Sequence, residues 1–152
     1  MEAVGVASDR RIKGRSLPKA RQWLQWLRYH IHDLPADHGW VELYRDTLIG
    51  LHHAIVCAAR RLRGNPTWDL QGTMTDDTER LEEGALRWAR NASALRFRPD
   101  VPERFRVLVD VLHGACNQQV RLAREIDRMH RHGEIQVDVT YDQHAQRLVE
   151  VE

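Results

Sequence analysis

Two histidine–cysteine pairs in this chain have the spacing of metal ligands. His53 precedes Cys57 by four residues, and His113 precedes Cys116 by three. Residues three or four apart share one face of an α-helix, so each pair can present an imidazole and a thiolate to one point. Two such pairs on neighbouring helices would supply the Cys2His2 set of a structural Zn²⁺ site. Alternatively, both cysteines are small buried hydrophobic residues. We expect no cofactor, and zinc at these four residues is the alternative.

The chain contains no motif that indicates a catalytic mechanism. It has no nucleophile elbow, no phosphate-binding Gly-rich loop and no H-E-x-x-H motif. It also lacks the Glu-x-x-His pair that di-iron helical bundles require. We therefore expect a protein without enzymatic activity, which places its function in binding.

The tryptophans of the first predicted helix suggest a protein-binding surface. Trp23 and Trp26 form a stripe beside the row Leu24, Leu27 and Ile31, so the apolar surface is wider than packing against one neighbour requires. Tryptophan is frequent at interface hot spots because one side chain buries a large area and still offers an N–H donor. We predict that Trp23 and Trp26 contact a partner subunit. The alternative is that this helix is central in the bundle and buries both stripes.

A second candidate interface lies near the C-terminus. After Gly133 the apolar residues alternate with polar ones, which is typical of a half-buried β-strand. The edge of such a strand can be completed by another chain. The interface residues that we predict on this strand are Val137, Val139 and Tyr141.

The charged residues are unevenly distributed along the chain. The 23 basic and 22 acidic residues leave a net charge of +1, so the global charge does not argue for nucleic-acid binding. Residues 1–28 are nevertheless strongly basic, whereas residues 133–152 carry five acidic residues against the single Arg147. A flexible basic arm over residues 1–15 is the basis for an alternative in which the protein binds nucleic-acid phosphates. The candidate residues for that contact are Arg10, Arg11, Lys13 and Arg15.

Apolar residues with the 3.6-residue helical period occur in four segments. The first helix is expected to follow Ser16 and to end at the Leu34–Pro35 step, and the second to run from about Gly39 to Arg63. The third is expected to start near Thr75 and to break before Pro99. The fourth is expected to run from the Asp100/Glu103 capping box to the Gly133 cap, with a bend at Gly114 midway.

These elements predict a mainly α-helical fold, an antiparallel four-helix bundle with a short C-terminal β-strand or hairpin. The 152 residues, 42% of them hydrophobic, fit a single domain overall. Within it we expect a flexible basic arm at 1–15, the helical bundle at 16–133 and a β appendage at 134–152. No apolar run is long enough to cross a membrane and no secretory signal precedes the first helix, so a cytoplasmic protein is expected.

The stretch from Ala20 to Arg63 resembles small uncharacterised helical proteins encoded by actinobacterial phages and related mobile elements. The residues that carry the resemblance are Trp23-Leu24, the run Leu27-Arg28-Tyr29-His30 and the arginine-rich second helix. This stretch covers under a third of the chain. Many of these relatives continue into a zinc ribbon with paired C-x2-C motifs, which this chain does not contain. The resemblance implies no particular activity, and it would make the protein virion-associated if it is phage-encoded.

Taken together, the sequence favours a non-enzymatic helical module for protein–protein interaction that self-associates as a homo-oligomer, in the manner of a phage-type assembly or adaptor component. A basic N-terminus and an acidic C-terminus favour head-to-tail contact between copies. Two alternatives stay open at this stage: a nucleic-acid-binding regulator that uses the basic arm, and a helical protein with a structural zinc site.

Overall fold

The computed structural model describes residues 17–36, 39–65, 67–68, 74–75 and 81–135, and it is mainly α-helical. The four described helices are α1 (Leu17–His30), α2 (Gly39–Leu62), α3 (Leu81–Arg96) and α4 (Arg106–Arg131). Short 3-10 turns, Ile31–Asp33 and Glu103–Phe105, adjoin α1 and α4, and two strands of two residues each, β1 (Thr67–Trp68) and β2 (Met74–Thr75), pair antiparallel. The predicted basic arm and the predicted C-terminal strand residues Val137, Val139 and Tyr141 lie outside the described residues.

The ends of α1 and α2 follow the signals read from the sequence. Leu34 is extended immediately before Pro35, which ends the first helical segment. Gly64 has a φ of 80°, and the Asn65 N–H donates to the Arg60 carbonyl at 3.0 Å. This is the glycine cap expected after the second helix, because a positive φ strains any residue with a Cβ.

The start of α3 differs from the prediction. Thr75, near which the helix was expected to begin, pairs instead with Thr67 in the small β-ladder, and the described helix begins at Leu81. Its N-terminus is capped from another helix: the buried Asp127 carboxylate of α4 accepts hydrogen bonds from the N–H groups of Leu81 and Glu82, at 3.1 and 2.9 Å. A cap supplied 45 residues downstream leaves no local sequence signal.

The start of α4 also departs from the expected capping box. Asp100 does not cap the helix; its carboxylate accepts two hydrogen bonds from the Arg98 guanidinium, at 2.9 and 2.8 Å. Pro102 is extended, Glu103 lies in the 3-10 turn, and α4 begins only at Arg106. The single long helix predicted from Asp100 is therefore a turn followed by a 26-residue helix. Its end is as predicted, with Gly133 at a φ of 74°.

Helices α2 and α4 form the centre of the bundle, because each contacts the other three helices. They run in the same direction: the Tyr44 hydroxyl donates to the Leu108 carbonyl at 3.1 Å, and the Gln119 amide donates to the Ala54 carbonyl at 3.1 Å. Helices α3 and α4 are antiparallel, since the start of α3 meets Asp127 and its end meets Asp110 through Arg96. The predicted apolar stripes supply the core, in which these side chains are fully buried: Leu27, Leu51, Leu95, Leu112 and Ile126.

Two tryptophans pack against glycines of the central helices. The ring of Trp88 on α3 occupies the space at Gly50 on α2, where an added Cβ would lie 2.1 Å from Cε2 of the ring. The ring of Trp23 on α1 lies in the same way against Gly114 on α4, where a Cβ would lie 2.7 Å from Cζ3. Gly114, at which the sequence suggested a bend, thus makes room for an aromatic ring of the neighbouring helix.

Candidate functional site

The four predicted zinc ligands do not come together. Among all the residues that the structure describes, which include these four, no group of three or more His, Cys, Asp or Glu side chains is placed to share a metal ion. His53 and Cys57 do contact each other, with 3.5 Å between Nε2 and Sγ. His113 instead faces the Arg96 guanidinium, 3.4 Å from Nδ1, and burial together with Arg96 lowers the pKa of His113.

The register of the two helices explains why the zinc set fails. The Tyr44–Leu108 and Ala54–Gln119 contacts place each α2 residue level with the α4 residue 64 or 65 positions later. Cys57 and Cys116 are therefore offset by about 8 Å along the bundle axis, at a rise of 1.5 Å per residue. Burial also raises the pKa of the Cys116 thiol to about 12, so this side chain is a neutral core residue rather than a thiolate ligand.

The two tryptophans predicted to contact a partner have different environments. Trp23 is half-buried against Gly114 and the core. Trp26 is 37% exposed, and its ring lies 4.1 Å from that of His30. Of the predicted aromatic pair, only Trp26 therefore has a substantially exposed ring.

A cationic groove lies between α1 and α2. Its volume is about 450 Å³. Its floor is apolar, and four nitrogen-bearing side chains line it without any carboxylate. We call this the basic groove, and its lining residues are Arg28, Ile31, His32, Arg45, Leu48, Ile49 and His52. A second hollow of about 490 Å³ shares Arg28 and is lined further along α1 by Arg21, Gln25 and Tyr29.

The helical period places these side chains together. Arg21, Gln25, Arg28 and His32 recur at three- and four-residue steps along the outer face of α1 and the turn that follows it. On α2 the same period gives an outward stripe that begins at Arg45 and continues beyond the groove to Val56. The members of that stripe are Arg45, Ile49, His52 and Val56.

Within the described residues, the arginines of this surface lack ionic partners. Arg28 and Arg45 of the basic groove, and Arg21 of the second hollow, make no ion pair or hydrogen bond with any residue that the structure describes. Elsewhere in the described bundle, several arginines are neutralised by carboxylates, as in Arg96–Asp110, Arg98–Asp100 and Arg124–Glu82. The groove is therefore a local concentration of unneutralised positive charge over an apolar floor.

The electrostatics of His52 reflect the same charge. Partial burial, the Arg28 guanidinium across the groove and the adjacent His53 lower the pKa of His52 below its usual value. An anion in the groove would oppose the field of Arg28 and favour the protonated imidazole. The site can thus attract a negatively charged group with Arg28 and Arg45 and gain a third cation at His52 when that group is bound.

Large apolar side chains are exposed around the groove. Ile49, which lines the groove, is 59% exposed, and Tyr29, which lines the second hollow, is 77% exposed. Val56, about two turns after Ile49 on α2, is also exposed. With the groove they form what we call the α1–α2 surface, defined by Arg21, Gln25, Arg28, Tyr29, Arg45, Ile49, His52 and Val56. Apolar side chains mixed with arginine are the composition of protein-binding surfaces.

Sequence reasoning missed the basic groove because its residues come from two helices, and no single segment contains a motif for it. The available signal was the outward face of α2, where Ile49 and Val56 break an otherwise polar stripe. The run Leu27-Arg28-Tyr29-His30 was noted only for a resemblance.

Comparison of the chain with protein-family models, with characterised proteins and with solved structures gives no match.

Proposed function

We propose that the protein is a non-enzymatic helical interaction module that self-associates, as an assembly or adaptor component, and that the α1–α2 surface is its contact surface. The observation that carries this proposal is the combination, on one helix pair, of exposed Tyr29 and Ile49 with arginines that no carboxylate of the described residues neutralises. An isolated exposed apolar residue is ordinary in a folded protein, whereas several around a lined groove mark an interaction site.

The chemistry of the described bundle supports a binding role. Tyr44 and Cys116 are core groups whose pKa values burial raises, and neither lines the groove, whereas the pKa of His52, which does line it, is lowered by burial and by Arg28. Of the described helices, none is long and apolar enough to cross a membrane. The groove itself contains guanidinium and imidazole groups over aliphatic side chains, which bind and orient an anionic partner.

The test measures the mass of the full chain in solution by light scattering. The protein concentration runs from about 1 to about 200 μM, which spans the dissociation constants of protein contacts of modest affinity. We expect the mean mass to rise with concentration. The variant Tyr29→Ser/Ile49→Ser, at two exposed positions, should weaken the association about tenfold, which corresponds to one lost contact of moderate strength.

The matched control changes two equally exposed apolar residues that belong to the α3–α4 part of the bundle and do not line the groove. Phe97→Ser/Val107→Ser removes side chains that are 80% and 58% exposed near the junction of α3 and α4, and we expect wild-type association. A strictly monomeric wild type over the whole range would refute self-association. A control variant that weakens association as strongly as the test variant would place the contact surface elsewhere.

A second candidate function, single-stranded nucleic-acid binding, is favoured by one feature of the same surface. Arg21 and Arg28 lie beside the exposed ring of Tyr29, and proteins bind single strands through phosphate-neutralising cations next to aromatic rings that stack on bases. Retardation of a labelled oligonucleotide at low salt tests it, with affinity expected to fall steeply as salt rises. Absence of retardation at low salt would remove this candidate.

A further inference from the structure

The basic groove has a chemistry that one segment of this chain matches. Residues 134–152, which we call the acidic segment, contain five carboxylates and the single Arg147. Apolar residues are interleaved with those acids, as in Val137, Val139 and Tyr141. The groove has the complementary arrangement, with Ile31, Leu48 and Ile49 between arginines and histidines.

We propose that the basic groove of one copy binds the acidic segment of a second copy, with apolar side chains of the segment on the groove floor and its carboxylates against Arg28 and Arg45. This inference rests on the self-association proposed above and identifies the segment that mediates it. Arginine suits the role because its planar guanidinium donates two parallel hydrogen bonds to one carboxylate.

The geometry of the bundle argues for a second copy rather than the same chain. The groove residues of α2 lie level with about residue 113 of α4, whereas Ile135 is packed into the core at the far end of that helix. The separation along the bundle is about 25 Å at 1.5 Å per residue. Three extended residues beyond Ile135 reach about 10 Å and seven reach about 24 Å.

Asp138 therefore falls far short of the groove of its own chain. Asp142 reaches the level of the groove only if the intervening chain is fully extended along the shortest path, whereas Glu150 and Glu152 have length to spare. A second copy has no such limit and can place Asp138, Asp142 and the apolar residues between them in the groove together. The acidic segment fits as a unit only between copies.

A contact of this kind joins two different surfaces and leaves each copy with one free groove and one free segment. Such a heterologous contact adds copies head to tail, and the series either closes into a ring or continues. This property separates the proposal from a symmetric dimer through the α1–α2 surface, in which the same patch would be used twice.

The test uses two full-length variants and their mixture. A groove variant, Arg28→Glu/Arg45→Glu, changes two exposed side chains and keeps its acidic segment. A segment variant, Asp138→Asn/Asp142→Asn, keeps its groove. We expect the association constant of each variant alone to fall at least tenfold in sedimentation velocity. We expect an equimolar mixture to form a two-chain species and nothing larger, because only one productive contact remains.

The control carries the same change of charge away from the groove. Arg90→Glu/Arg121→Glu alters two exposed arginines of α3 and α4, and it should associate as the wild type does. A synthetic peptide of residues 134–152 should bind the wild-type chain and compete with its self-association, whereas a peptide of the same composition in scrambled order should bind at least tenfold more weakly.

The possible outcomes distinguish this inference from the proposed function. If the Tyr29→Ser/Ile49→Ser variant dissociates while the segment variant associates normally, the α1–α2 surface is a contact surface and the acidic segment is not its ligand. If the two variants fail to complement in the mixture, the head-to-tail contact is refuted. Binding of an oligonucleotide in preference to the peptide would also overturn the proposal and would favour the nucleic-acid function.

Discussion

The charged side chains of this protein divide into those that hold the helices together and those that do not. Asp127 caps α3 from α4, and Arg106 donates to the carbonyls of Arg96 and Arg98 where α3 ends. These contacts satisfy backbone groups that a helix terminus leaves without partners. Arg28 and Arg45 have no comparable structural task in the described bundle, so their removal should affect binding more than stability.

The first prediction concerns Asp127. Replacing it with alanine removes the buried carboxylate that accepts from the N–H groups of Leu81 and Glu82. We expect Asp127→Ala to lower the free energy of unfolding by about 2 kcal/mol, the combined cost of a lost cap and of two partly buried donors left without this acceptor. Urea unfolding followed by circular dichroism measures this change.

The control for Asp127 is another aspartate of the same helix. Asp110 also faces α3, but its ion pair with Arg96, at 3.3 Å, is largely exposed. Exposed ion pairs contribute little, and Asp110→Ala should therefore change the free energy of unfolding by less than about 0.5 kcal/mol. Equal losses in the two variants would mean that the cap does not stabilise the start of α3.

At the scale of the elements, periodicity and local signals predicted much of the bundle. Leu24, Leu27 and the long apolar stripe of α2 are buried as their spacing indicated, because a 3.6-residue period leaves little choice of face. The ends at Pro35, Gly64 and Gly133 were also correct, since proline and glycine restrict or permit backbone conformations without help from the rest of the fold.

The errors fall where an element depends on a distant part of the chain. The start of α3 is fixed by Asp127, and the start of α4 shifted because Asp100 pairs with Arg98. The zinc set failed because the register between α2 and α4 is set by their packing, which the spacing within each helix does not reveal. The basic groove was missed for the same reason, as it exists only once α1 lies against α2.

The second prediction tests the two tryptophan–glycine contacts that position α1 and α3 on the central pair. A Cβ at Gly50 would overlap the body of the Trp88 ring, so the ring must move. We expect Gly50→Ala to lower the free energy of unfolding by about 2 kcal/mol despite the better helix propensity of alanine. Gly114→Ala should cost about 1 kcal/mol, because there the overlap is with the outer edge of the Trp23 ring.

Gly84 of α3 is the natural control, since a Cβ there would meet no neighbouring atom within 4 Å. Gly84→Ala should raise the free energy of unfolding by about 0.5 to 1 kcal/mol through helix propensity alone. In a Trp88→Ala background the cost of Gly50→Ala should disappear, as no ring remains to be displaced. Persistence of the full cost in that background would assign it to the backbone rather than to the ring.

For the whole molecule, the net charge of +1 is the sum of a basic surface and an acidic segment. The positive charge of the α1–α2 surface and the negative charge of residues 134–152 belong to different parts of the chain. Copies with opposite charges at two sites attract each other when those sites meet, while their nearly balanced total charge gives little overall repulsion. Self-association driven in this way has a characteristic dependence on salt.

The third prediction is that raising the salt concentration from 0.05 to 0.5 M weakens self-association of the wild type by about tenfold. Over this range the electrostatic screening length falls about threefold, which removes most of the attraction between exposed charges. The groove variant Arg28→Glu/Arg45→Glu should not lose association as salt rises, because its reversed charges repel the acidic segment and salt screens that repulsion. If the wild type associated through Tyr29 and Ile49 alone, its association would stay unchanged or become stronger as salt rises, because salt does not weaken apolar association. Light scattering at both concentrations therefore distinguishes a contact based on charge from one based on apolar burial.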